Sequence, residues 1–200
     1  MAKSTPLALL FITLLVASSA DFGSATRTAA GTTGVEFIKA SCSVTAYPRL
    51  CYASLSTQAT AIQQSPKLLA DAALSLSLNS ARSTAADMAE LLKWSSIRPR
   101  EVRAMRDCVD QLADSVDRLR RSAAELNLIN KRHSDFWLIM EDIQTWVSAA
   151  LTDEDTCMDG FADRPTTCEV KTAVRRRISR VAHMTSNALA LINYYAEIHG

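Results

Sequence analysis

Glycine is almost absent from the part of this chain that can fold. Between Val35 and His199 it occurs once, at Gly160. Turns that need a positive φ are therefore scarce, and long uninterrupted helices become the natural solution. Beyond the first twenty residues, proline falls at Pro48, Pro66, Pro99 and Pro165. The last three open long glycine-poor segments, as proline does well in a first helical turn, where its missing N–H has no intrahelical partner to lose. Ser65, just before Pro66, is suited to an N-cap.

Apolar residues within these segments recur at three- and four-residue spacing, the period of a half-buried helix. The spacing predicts four helices. The first, over about 66–94, carries Leu74, Leu78, Ala81, Ala85, Met88 and Leu92. The second, over about 99–127, carries Val102, Met105, Val109, Leu112, Val116 and Leu119. The third, over about 135–161, carries Met140, Ile143, Val147, Ala150 and Leu151. The fourth, over about 167–198, carries Val170, Val174, Ile178, Val181, Ala188, Ile192 and Tyr195. Helices of about 40 Å, joined by short links, pack as an up-down four-helix bundle. The expected fold is all-α, and no alternating strand pattern competes with it.

The N-terminus reads as a secretory leader over residues 1–20. Lys3 gives a positive start, Leu7 to Val16 is apolar except for Thr13, and Ser18-Ser19-Ala20 offers small residues for cleavage. Such a run is too short for a membrane anchor. Residues 21–34, rich in Thr, Ala and Gly, are expected to form a flexible lead-in, leaving 35–198 as one domain. Export makes disulfides available. Cys42 and Cys51 flank Tyr47-Pro48, which reads as a short staple closing a helical hairpin ahead of the bundle. Cys108 and Cys157 fall in the second and third helices and read as a long staple, leaving Cys168 as a spare thiol, either buried or free to pair between molecules. On loop entropy the short bridge contributes about 3 kcal/mol and the long one about 4 kcal/mol.

The formal charge of the whole chain is +1. A near-neutral chain is a poor nucleic-acid or membrane binder, so any partner must be recognised through local patches. His133, His183 and His199 share no metal-ligand spacing with one another or with the cysteines. A nucleophile elbow and a phosphate loop both need glycines that the chain lacks. No cofactor and no catalytic constellation are expected. A carrier for a small apolar ligand remains open and would need an enclosed cavity between the helices.

Four stretches carry a resemblance to a known family: FIKASCSVTAYPRLC at 37–51, AMRDCVDQLADSVDRL at 104–119, WVSAALTDEDTCMDGF at 146–161 and MTSNALALI at 184–192. In this order, the chain resembles the plant invertase and pectin methylesterase inhibitor family. The resemblance implies a hairpin-capped four-helix bundle with bridges Cys42–Cys51 and Cys108–Cys157, the pairing read above. It also implies a secreted inhibitor of a cell-wall enzyme in the apoplast. The family's second-helix motif has a tyrosine where Leu112 stands, a change expected to repack the core. The invertase branch carries a Pro-Lys-Phe element between the last two helices. Here that link reads Asp163-Arg164-Pro165-Thr166-Thr167, so pectin methylesterase is the expected target and acid invertase the alternative.

Two surface features suit such a role. Asp107, Asp110, Asp114 and Asp117 make an acidic stripe on the second helix. Thr152, Asp153, Glu154, Asp155 and Thr156 make a second acidic segment, which the long staple would hold beside the stripe. Of these, Asp107, Asp110, Asp114, Asp117, Thr152, Asp153, Glu154 and Thr156 are the candidate target-binding residues. The run Arg175-Arg176-Arg177 with Arg180 points to weak contact with acidic pectin. Trp94, Trp137 and Trp146 read as core or helix-end packing.

Overall fold

The computed structural model describes residues 33–93, 99–129, 135–161 and 168–199. Helix α1 covers 33–42, and α2 spans Pro48–Leu55. A 3-10 turn, Ser56–Gln58, then leads into the single-turn α3, Ala59–Ile62. Four long helices follow: α4 Pro66–Leu91, α5 Pro99–Leu126, α6 Phe136–Asp159 and α7 Cys168–Glu197. Their ends lie close to those the apolar spacing predicts. No strand occurs among the described residues.

The helix starts have local causes. Pro66 sits in the first turn of α4, and the Ser65 hydroxyl accepts a hydrogen bond from the Leu68 N–H at 3.3 Å. That bond satisfies one of the donors a helix start leaves unpaired. At the far end of α6, the N–H of Gly160 returns to the Thr156 carbonyl at 3.1 Å.

Each long helix packs against the next in sequence, and α7 closes the square against α4. The central core joins Leu74, Leu78, Leu119, Leu126, Met140, Ile143, Val147 and Ile192. A second cluster, around the Cys108–Cys157 bridge, contains Met88, Met105, Leu112, Phe161, Val174 and Ile178. Leu112, where the family has a tyrosine, is fully buried there. The hydroxyls of Ser77 and Ser122 lie on inner faces too, but each donates to a carbonyl one turn back in its own helix, at 3.0 Å in both cases. Burial without a partner is thereby avoided.

The N-terminal segment packs on the α4–α7 side. Ile38, Leu55, Ala59 and Ile62 form one cluster with Leu69 and Ala73 of α4 and Ala188 and Leu191 of α7. The Cys42–Cys51 bridge, with Cα atoms 5.6 Å apart, holds α1 to α2. Residues 33–34, expected in the flexible lead-in, are instead helical. A Cβ on Gly34 would stand 2.7 Å from the Ala59 carbonyl oxygen, so the backbones approach as only glycine allows. The leader 1–20, residues 21–32, Trp94, His133, the 163–167 link and the thiol of Cys168 lie outside the described residues.

One turn in this segment is strained. Gln63 has φ 55° and ψ −115°, and the Ser65 N–H bonds to the Ile62 carbonyl at 3.1 Å. This is the first corner of a type II′ turn, a conformation that favours glycine. Gln63→Gly is expected to stabilise the protein by about 0.5–1 kcal/mol. A urea midpoint that rises at unchanged slope would show it, and an unchanged or lower midpoint would remove the strain from the account.

Candidate functional site on the α5–α6 flank

Helices α5 and α6 make the most extensive pairing in the bundle. The Cys108–Cys157 bridge fixes it at one end, with Cα atoms 4.5 Å apart. Nearly three turns on along α5, and one turn back along α6, Arg118 forms an ion pair with Asp153 through its Nη1 and the carboxylate Oδ2. Between them the Ser115 hydroxyl donates to Glu154 Oε1 at 2.7 Å. Three kinds of bond thus pin the two helices within three turns of α5.

The acidic stripe is exposed along its length, at Asp107, Asp110, Asp114 and Asp117. Asp117 pairs with Arg120 one turn on, at 2.9 Å. Thr152 and Thr156 are exposed as well. Their hydroxyls bond to the carbonyls of Ser148 and Thr152, four residues back, at 3.1 and 2.7 Å. Asp155 faces outward, and desolvation, followed by the charge of Asp159, raises its pKa, while His183 works against the rise. The charge of Asp114 acts on Asp153, so this part of the stripe lies near the α6 segment.

Two expected surface residues are corrected. Asp153 is buried against Arg118, and Glu154 is wholly buried between α5 and α7. Glu154 Oε1 also accepts from the Thr185 hydroxyl of α7, at 3.0 Å. The acidic cluster of α6 is therefore split, with Asp155 and the threonines outside and Asp153 and Glu154 inside. The signal for this was present in the sequence. Ile143, Val147, Ala150 and Cys157 are buried, and position 154 continues the same 4-3-4-3 spacing. Ser115 and Thr185 occupy seam positions in the same way, between Leu112 and Leu119 and between Val181 and Ala188.

Desolvation raises the pKa of Asp153, although Arg118 opposes the rise. Glu154 is lifted to about 7, first by desolvation, against the lowering effect of the Ser115 and Thr185 hydroxyls. No helix among the described residues brings a cation to it, since Arg118 is engaged by Asp153.

The hairpin tip adds a further contact that spacing did not reveal. The Tyr47 ring stacks on His183, with centroids 3.6 Å apart. Asn187 brackets the same residue, accepting from the Tyr47 N–H at 3.0 Å and donating to the Tyr47 carbonyl at 3.1 Å. His183 is thus half-buried in α7, held against the hairpin tip. Among the tryptophans, Trp146 is half-buried, whereas Trp137 is 59% exposed at the start of α6. The pocket between the hairpin and the bundle, lined by Leu50, Leu55, Leu76, Met184 and Asn187, encloses about 20 Å³, room for little more than one water.

The described helices form a disulfide-stapled bundle with an exposed acidic stripe on its α5–α6 flank. Residues 36–191 match the family described as plant invertase/pectin methylesterase inhibitor, and the chain belongs to that family. It is 44% identical over 165 residues to a 21 kDa protein of Daucus carota, covering 82% of this chain and 86% of that one. It is likewise 44% identical over 165 residues to Pectinesterase inhibitor 11 of Arabidopsis thaliana, covering 82% of each. The crystal structure of a mutant form of a pectin methylesterase inhibitor from Arabidopsis superposes with a TM-score of 0.61 at 22% identity, over 76% of this chain and 92% of that one. This last likeness is one of fold.

Arg118→Ala leaves Asp153 in place without its cation. Loss of a partly buried pair is expected to cost about 1–3 kcal/mol. Without Arg118 the Asp153 pKa rises further, so the loss is largest near pH 7 and fades as the carboxyl protonates in acid. Urea unfolding at pH 4 and pH 7 checks the sign, and a loss equal at both would refute it.

Proposed function

We propose that the chain is a secreted inhibitor of plant pectin methylesterase, acting by a reversible stoichiometric complex that covers the enzyme's substrate cleft. The observation that carries this is the 44% identity to a protein named Pectinesterase inhibitor 11, over 82% of both chains. It is an inhibitor and not itself an enzyme. Acid invertase is the less favoured target, because the Asp163–Thr167 link lacks the Pro-Lys-Phe element.

The exposed stripe Asp107, Asp110, Asp114 and Asp117, with Thr152 and Thr156 beside it, is the surface we assign to the target. Three contacts between α5 and α6 hold that face in place before binding, so little conformational entropy is lost on docking. Asp153 and Glu154 support the face from within. The leader read at 1–20 would deliver the protein to the apoplast, and no described helix is long and apolar enough to cross a membrane. Arg175, Arg176 and Arg180 are exposed on α7, while Arg177 bonds to Asp87 of α4 at 3.2 Å. The exposed three are the residues that would give weak contact with acidic pectin.

Titration of the oxidised protein against a plant pectin methylesterase and a plant acid invertase, near pH 5 to 6, tests the target. Stoichiometric loss of esterase activity alone is expected. Loss of invertase activity alone would overturn the choice. Reversing Asp110, Asp114 and Asp117 together to lysine is expected to weaken esterase inhibition by about tenfold or more, with helical circular dichroism unchanged. Unchanged inhibition would remove the stripe from the interface.

A further inference from the structure

Glu154 is a titratable group that the bundle holds entirely away from solvent. It lies on the inner face of α6, level with Ser115 of α5 and Thr185 of α7. Both hydroxyls donate to the same oxygen, Oε1, at 2.7 and 3.0 Å. The other oxygen, Oε2, is buried and has no hydrogen-bond partner. A carboxylate spreads its charge over two oxygens and needs donors or a cation at both. A neutral carboxylic acid needs less, because a carbonyl oxygen with two donors is fully served and a lone hydroxyl is far easier to bury than part of a charge.

The charges around it do not favour ionisation. On its own helix, Asp155 and Asp153 both act against it. On α5, Asp114 is acidic and Arg118 is taken by Asp153. On α7, His183 bears on Asp155 and not on Glu154. Helix α4 stands diagonally across the bundle from α6, and its Asp87 pairs with Arg177 of α7 at 3.2 Å.

We propose that Glu154 is a proton-operated latch. Protonated, it joins α5, α6 and α7 through a neutral Ser115–Glu154–Thr185 triad; ionised, it places an uncompensated charge between them and loosens the bundle. The inference concerns the folding of the free protein and stands whichever enzyme is the target.

The sign follows from proton linkage. The folded protein holds the Glu154 proton up to a pH of about 7, against 4.5 for an ordinary glutamate. The unfolded chain therefore loses this proton first as pH rises. Stability from this group is complete below pH 4.5 and is lost as pH climbs to about 7, with the folding constant falling by up to about tenfold per pH unit. An acidic medium such as the cell wall thus tightens the protein, and a neutral one relaxes it.

The test compares urea unfolding of the disulfide-intact wild type and of Glu154→Gln between pH 4 and 8. The amide keeps the shape and cannot ionise. The ratio of folding constants, variant to wild type, is expected to rise by about 100-fold or more from pH 4.5 to 7.5. A ratio independent of pH overturns the latch. A direct titration covers the case in which the variant does not fold. In wild-type protein carrying carbon-13 at the glutamate carboxyls, one resonance should titrate near pH 7 and should move higher still in Ser115→Ala, which removes a donor to the carboxylate. Glutamates that all titrate near 4 to 5, or a high midpoint indifferent to Ser115, would equally overturn it.

Discussion

Helices α5 and α6 are held together by three different bonds within three turns of α5, and the rest of the molecule is built around that pairing. The Cys108–Cys157 bridge sets the register, Arg118–Asp153 holds it from the outer side, and Ser115–Glu154 holds it from within. Because the bridge closes a long loop, it acts strongly on the unfolded chain. The other two bonds act in the folded state, where they decide which faces of the helices meet. Once that pairing is set, the seam residues of α4 and α7 have a continuous apolar groove to fill.

The N-terminal hairpin depends on this frame. Its helices are short, α2 spanning eight residues and α3 four, and helices of that length are not stable alone in water. They are held by the Cys42–Cys51 bridge, by the cluster they share with α4 and α7, and by the grip of Asn187 and His183 on Tyr47. The close approach of Gly34 to Ala59 belongs to the same packing.

For an inhibitor, these arrangements place cost and benefit on different surfaces. The exposed side of α5 is free to carry like charges at close spacing, because the bridge and the core already hold the helix. The buried side of α6 carries a carboxyl that a bundle built for stability alone would replace with leucine. On the latch proposed above, its presence links the integrity of the α5–α6 flank to proton concentration.

Much of this was written in the order of residues. The scarcity of glycine, the placement of Pro66 and Pro99, and the three-four spacing of apolar residues determined four long helices and their faces, because helix periodicity is a local property. Cys42, Cys51, Cys108 and Cys157 determined the staples, since their places in the chain matched one hairpin and one helix pair. The same spacing put position 154 on the inner face of α6, but which neighbour would share its burial, and what each would bond to, was decided only by the tertiary structure. Asp153, Glu154 and Asp155 are consecutive acids and look alike in sequence, yet one pairs with Arg118, one is buried under Ser115 and Thr185, and one faces water. Neighbours on a helix diverge by 100°, and packing against α5 and α7 supplies the partners that Asp153 and Glu154 meet there. The grip of Asn187 on Tyr47, 140 residues away in the chain, likewise has no local trace, because it exists only when α7 and the hairpin meet.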